Sequence, residues 1–242
     1  MLHVSLEVTS TSKNNMTTRL PTFRFTKFQI FVHIVALLPL VILIIDALRG
    51  NLTYNPIQAA TLRTGKTAMI LLVASLACTP VNTVFGFTPA IKVRRALGLY
   101  AFLYALVHFS IYVGVDYGFD LQLILLELSE KRYVLVGFAA FLILLPLAIT
   151  STKGWQRRMK RNWKKLHRWI YAAGILVMFH FIWVQKSDIR QPLIWAGILA
   201  VLLILRIPRV RSRAVTFRTS RRAGGKKSAP PKPVEVNEPV VQ

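Results

Sequence analysis

Three things are scarce in this sequence, and each scarcity excludes something. There is one cysteine, Cys78, among 242 residues. One thiol cannot form an internal disulfide, ligate an iron–sulfur cluster by itself, or supply a C-x-x-C-H haem attachment. Acidic residues number nine against 32 Lys and Arg, for a formal net charge of +23. Charge is also missing altogether from six apolar runs: Phe28–Ile45, Thr67–Ile91, Ala96–Val115, Tyr133–Thr152, Trp169–Gln185 and Gln191–Leu205. A spanning helix needs roughly 20 mostly apolar residues, with about 17 a usable minimum. Four runs pass outright. The fifth passes if Lys164, Lys165 and Arg168 reach the interface, and the sixth only if Arg206 snorkels and Ile207 is counted. The expectation is an all-α integral membrane protein, a six-helix transmembrane bundle. A soluble enzyme is excluded.

The basic excess sorts by loop. Counting Lys and Arg, the N-terminal tail, second loop, fourth loop and C-terminal tail hold 25, and the first, third and fifth loops hold seven. Asp46, Asp116, Asp120, Glu127, Glu130 and Asp188 lie on the poorer side. The positive-inside rule then puts both termini in the cytoplasm, with the chain in the inner membrane. Topology and anionic lipid explain the charge, so no nucleic acid is needed as a partner. Residues 1–26 are Ser-, Thr- and Asn-rich with no apolar signal-peptide core, and form a polar tail. Residues 27–207 form the transmembrane domain. Residues 208–242, rich in Arg, Lys, Gly and Pro, read as a disordered cytoplasmic tail.

Within the spans, ionisable residues other than histidine are all but absent, which argues against an ion-coupled transporter. No repeat between the two halves is detectable either, a second argument against that class. Four of the five histidines lie in or beside a helix: His33, His108, His167 and His180. Counted from the charge boundaries, His108 and His180 sit at depths within roughly 3 Å of each other, in the outer half, on helices of the same direction. Two neutral imidazoles so placed could ligate one haem iron axially. A single intramembrane His is also commonly hydrogen-bonded across helices, and spacing alone leaves both readings open. His167 precedes His180 by thirteen residues, roughly 20 Å along an ideal helix but about 140° around it. A π-bulge or kink is needed to aim both at one seam. His33, near the inner end of the first helix, is a possible inner partner. Pro39, Pro80 and Pro146 would kink three helices and open room for a planar cofactor, or are simply tolerated there.

Several segments carry a family resemblance. They are His33-Ile-Val-Ala-Leu-Leu-Pro39, Thr64-Gly65-Lys66-Thr67-Ala68, Arg94-Arg95-Ala96-Leu97-Gly98-Leu99 leading to Leu106-Val107-His108, Thr150-Ser151-Thr152, and Trp163-Lys164-Lys165-Leu166-His167-Arg168-Trp169-Ile170-Tyr171 leading to His180. In order and spacing the chain resembles the MsrQ (YedZ) family, within the wider ferric-reductase-like transmembrane group. The resemblance implies haem b ligands at His108, His167 and His180. It implies electron transfer from membrane quinone to a periplasmic molybdopterin-dependent methionine sulfoxide reductase, the catalytic partner that repairs oxidised proteins. It also implies flavin mononucleotide (FMN), with no residue to hold it. The chain is thus expected to be an electron-transfer subunit rather than the catalytic reductase. The alternatives are a ferric-reductase-like cytochrome b with another acceptor, or a cofactor-free transporter or scaffold. Where the wider group has a second histidine on the third helix, this chain has Arg94 and Arg95. Arginine stays protonated and cannot be an ordinary ligand, though Arg95 could pair with a propionate or phosphate. A second haem would then need His33 opposite His167, or a non-histidine ligand.

Overall fold

The computed structural model describes residues 26–185 and 188–225, and these are helical nearly throughout. Helix α1 (Lys27–Leu48) starts at a capping box, in which Thr26 Oγ1 accepts from the Gln29 amide and the Gln29 side chain accepts from the Thr26 amide. Helix α2 (Pro56–Phe85) starts with Asn55 as cap and Pro56 in its first turn, and ends at Gly86, whose φ of 73° is left-handed. Helix α3 (Pro89–Ser110) runs on into a π-helical segment, Ile111–Asp116. Asp120 then caps a short α4 (Leu121–Glu130), accepting from the Gln122 and Leu123 amides. Next come α5 (Arg132–Ile149), α6 (Lys153–Met159) and α7 (Arg161–Leu166). A 3-10 turn at His167–Trp169 leads into α8 (Ile170–Val184), followed by α9 (Arg190–Ile204) and α10 (Pro208–Gly225).

Five segments are long and apolar enough to span a membrane: Lys27–Leu48, Pro56–Phe85, Pro89–Asp116, Arg132–Ile149 and Arg161–Val184. The sixth reaches that length only as a bent pair, α9 with the start of α10, with 78° between them. The sequence boundaries need three corrections. Helix α2 begins at Pro56, well before the uncharged run at Thr67, and carries Arg63 and Lys66 in its N-terminal turns. Arg63 fits there because Nη1 lies 2.6 Å from Asp46 Oδ2 on α1. Lys92, Arg94 and Arg95 belong to the first turns of α3, not to a loop. Arg206 does not snorkel outward: it turns into the bundle, donating to Tyr171 Oη at 2.5 Å and to the Leu76 carbonyl at 2.6 Å.

The tail is corrected as well. Instead of disorder from residue 208, the chain is helical to Gly225. Pro208 is preorganised for a first turn, and from Arg209 to Ala223 neither Gly nor Pro interrupts good helix formers. The expected polar tail over residues 1–25 and the disordered tail over 226–242 lie outside the described residues.

Helix α2 is the hub of the bundle, with Thr64, Met69, Leu71, Leu72, Val73, Ser75, Leu76 and Cys78 among its buried positions. Lipid is as apolar as leucine, so close approach and hydrogen bonds hold membrane helices together. Gly98 on α3 provides the approach: a Cβ there would stand 3.3 Å from Ser75 Oγ, which donates to the Arg94 carbonyl at 2.8 Å. Tyr104, 1% exposed, provides the bond to α1. Its hydroxyl enters the α1 ladder one residue past Pro39, accepting from the Leu40 amide at 2.9 Å and donating to the Ala36 carbonyl at 2.8 Å. The inserted hydroxyl satisfies a helix that proline has opened. Replacing it by Tyr104→Phe leaves two buried backbone groups unmatched, at a cost of about 1–3 kcal/mol. The expected outcome is a lower melting temperature of the detergent-solubilised protein. An unchanged one would mean that α1 closes its own ladder.

Candidate functional site

His108 on α3 and His180 on α8 face each other, ring centroids 6.2 Å apart and planes at 83°. Each ring is fixed in the same way. His108 Nδ1 donates to the Thr61 carbonyl on α2 at 2.9 Å, and His180 Nδ1 donates to the Tyr133 carbonyl on α5 at 2.7 Å. A carbonyl can only accept, so each Nδ1 carries the proton and each Nε2 keeps a free lone pair. The rings come this close because a glycine lies one turn beyond each carbonyl. A Cβ on Gly65 would meet the His108 ring at 3.0 Å, and one on Gly137 would meet the His180 ring at 2.7 Å.

The two arrangements are copies. The accepting carbonyls stand at 61 and 133, glycines at 65 and 137, histidines at 108 and 180, a constant offset of 72. The buried pairs Leu72 and Leu144, and Ala101 and Ala173, keep the same offset. The α2–α3 and α5–α8 hairpins therefore form a direct repeat, which corrects the expectation of no repeat between halves. Sequence comparison of the halves misses it because few other positions at this offset are identical, and several pair a polar residue with an apolar one, as Lys66 with Phe138 and Ser75 with Leu147.

The histidines line a cavity of about 670 Å³. Its body is apolar, with Met69, Phe109, Phe138, Phe141 and Val177 in the walls, and Phe109 stacks on Phe141 with centroids 4.7 Å apart. Helix α4, not foreseen from the sequence, adds Leu121, Ile124, Leu125 and Leu128 to one wall. Polar groups gather near α4 and the π segment: Tyr112, Asp116, Tyr117, Glu127 and Lys131. Lys131 Nζ lies 2.5 Å from Glu127 Oε2, and the Tyr112 and Tyr117 rings are 4.8 Å apart. Burial first, then the Glu127 carboxylate, pushes the Tyr117 phenol up, and the Glu127 hydrogen bond raises Lys131. Both groups therefore stay protonated well above neutral pH.

Three other residues singled out in the sequence do not line this cavity. His33 Nδ1 is 2.8 Å from Tyr100 Oη. His167 stacks on Trp163 with centroids 4.0 Å apart and donates from Nδ1 to the Trp163 carbonyl at 3.2 Å, while its Nε2 is buried without a hydrogen bond. The backbone break expected between His167 and His180 is a 3-10 turn beginning at His167 itself. Arg95 is exposed, whereas Arg94 is half-buried and donates to Thr79 Oγ1 at 3.2 Å. Among the described residues no three His, Cys, Asp or Glu side chains cluster to hold a metal ion. The site presents two imidazole nitrogens with free lone pairs beside an apolar slot.

A helical membrane bundle with paired histidines on repeated hairpins defines the class, and residues 64–179 match the family described as "Ferric reductase like transmembrane component". Among curated relatives, a protein of Xanthomonas axonopodis pv. citri is 46% identical over 197 residues, 78% of this chain and 90% of its own length. One from Xanthomonas oryzae pv. oryzae is 44% identical over 207 residues, covering 83% and 91%. One from Rhodospirillum rubrum is 42% identical over 187 residues, covering 76% and 90%. Each carries the name "Protein-methionine-sulfoxide reductase heme-binding subunit MsrQ". The chain belongs to the MsrQ family of ferric-reductase-like transmembrane proteins.

The glycine contacts give a graded expectation. Gly137→Ala forces the tighter clash and is expected to destabilise by about 1–3 kcal/mol, and Gly65→Ala by less. Thermal unfolding of the two variants checks the order, and equal or reversed losses would contradict the contact geometry.

Proposed function

We propose that this chain is a membrane electron carrier with haem b held between His108 and His180. The observation that carries the reading is the pair of imidazoles with matched, fixed tautomers. His108 and His180, with ring centroids 6.2 Å apart, would hold the iron of a haem between them, and the aromatic walls suit a flat apolar body. When bound, the haem supplies a one-electron couple.

This chain's own residues do the rest. The Thr61 and Tyr133 carbonyls orient the rings and raise their basicity. Phe109, Phe138 and Phe141 keep water off the flat face. Lys131, protonated and paired with Glu127, keeps a cation at the polar end of the cavity. Helix α4 covers one wall of the cavity and screens it from solvent. His167, with a buried and unmatched Nε2, is the candidate for an inner level. Its opposite ligand would be His33 or a non-histidine group, and Arg95 a propionate or phosphate partner.

In this reading the chain sits in the inner membrane with both termini cytoplasmic, on the strength of the Lys and Arg bias. Electrons enter from the quinone pool on the inner side. They leave outward to a periplasmic molybdopterin-dependent methionine sulfoxide reductase. The family relatives, named as heme-binding subunits of a protein-methionine-sulfoxide reductase, support delivery to a reductase of that kind. For FMN, the inner arginines offer a phosphate partner, but the large apolar cavity holds the two outer histidines instead. No step is assigned to flavin.

Two measurements test the proposal. Replacing His108 or His180 by Ala is expected to remove the same component of the reduced haem spectrum, with His167→Ala leaving that component largely intact. Loss of different components, or a colourless wild-type protein, would overturn it. A reporter fused after Gln242 is expected to read cytoplasmic and one at Asp120 external, and the opposite pattern would reverse the assigned direction of flow.

A further inference from the structure

The α9–α10 elbow forms a second, different pocket, open on one side. After Ile204 the ladder tightens to three-residue spacing, with the Arg206 amide on the Leu203 carbonyl and the Ile207 amide on the Ile204 carbonyl, both at 3.0 Å. Pro208 then pushes Ile207 out of helical geometry, which produces the 78° bend. Beneath the bend lies a cavity of about 480 Å³ lined by Arg206, Pro208, Arg211, Ser212, Val215 and Thr216. The Ser212 and Thr216 hydroxyls donate to carbonyls of their own helix at 2.9 and 3.1 Å, so the two arginines are the charged donors available. Arg206 has Nη1 and Nη2 occupied, but its Nε is buried with no hydrogen bond.

Charge balance sharpens the case. Every described Asp and Glu lies on the side away from this elbow: Asp46, Asp116, Asp120, Glu127, Glu130 and Asp188. Arg206 and Arg211 thus have no carboxylate counter-ion among the described residues, and Arg94 on the same inner side has none either. Helix α10 leaves Val210, Ala214 and Val215 half-buried while Arg209, Arg211 and Arg213 are exposed. That is the make-up of a basic helix lying in the membrane interface. An uncompensated, partly buried arginine at this depth calls for an anionic ligand from the membrane itself.

We propose that the elbow cavity binds the phosphodiester headgroup of an anionic inner-leaflet phospholipid, with Arg206 and Arg211 as its donors. The phosphate oxygens would take the unmatched Arg206 Nε–H and the free Arg211 fork, locking α10 against α2. The proposal rests on the membrane orientation above but not on the haem reading, and its readout is independent of haem.

The test is thermal unfolding of the full chain in nanodiscs of phosphatidylcholine, with and without phosphatidylglycerol at constant ionic strength. Wild type is expected to gain about 4 °C or more from the anionic lipid. Arg211→Gln and Ser212→Asp are expected to lose most of that gain, the first by removing a donor and the second by repelling the phosphate. Arg157→Gln, an exposed inner-side arginine on α6, should keep it. Equal losses in all three variants would mean diffuse attraction without a site and would overturn the proposal. So would an equal gain from millimolar inorganic phosphate in lipid-free detergent, which would assign the cavity to a soluble anion. If Arg211→Gln is already destabilised in pure phosphatidylcholine, Ser212→Asp and lipid retention by native mass spectrometry decide.

Discussion

The structure turns on one bond made twice: a histidine Nδ1–H held by a backbone carbonyl of the neighbouring helix, across a turn that carries a glycine. His108 on Thr61 and His180 on Tyr133 set the tautomer, the ring plane and the helix separation together. In a medium without water, an imidazole N–H left unbonded is costly, so the bond is held firmly. Thr61 lies in the second turn of α2 and Tyr133 in the first turn of α5, and each carbonyl is within reach because the glycine four residues on admits the ring. Gly65 and Gly137 are thus part of the site although neither can touch a ligand through a side chain.

Around this pair, several of the polar contacts sit where the backbone ladder is already disturbed. Tyr104 repairs α1 beside Pro39. Thr150 Oγ1 donates to the Pro146 carbonyl at 2.6 Å, near the end of α5. Arg206 ties the end of α9 to α8 and α2. The prolines expected to open the helices do sit inside α1, α2 and α5, yet the helices run through them. The space between helices comes instead from the repeated hairpins, which place their histidines toward each other and their bulky residues in the walls.

The repeat also explains an asymmetry. At one level both copies keep histidine, at 108 and 180. At the second level the equivalent positions are Arg95 and His167, so the copies have diverged there. Arg95 is exposed while His167 is half-buried against Trp163, and the second level offers one lone pair where the first offers two. The described carboxylates gather at the end of the bundle near the histidine pair, and the opposite end holds arginine and lysine without them.

Much of this was legible in the chain itself. Uncharged runs can be buried only in lipid, so the number of spans and the bias of the flanking charges follow from composition. The depth of His108 and His180 follows from a fixed rise per residue, and the motifs around them carried the family. Helix ends were misjudged wherever a charge found a partner in space, as Arg63 did on Asp46, because a pairing between helices leaves no trace in a hydropathy count. Helix α4 was missed because ten residues at an interface are too short to read as a span. The carbonyl partners, the glycine seats, the inward turn of Arg206 and the repeat were decided by tertiary structure alone. Each depends on which atoms of two distant helices come within hydrogen-bond reach, and apolar side chains of similar hydropathy specify that packing only through their shapes.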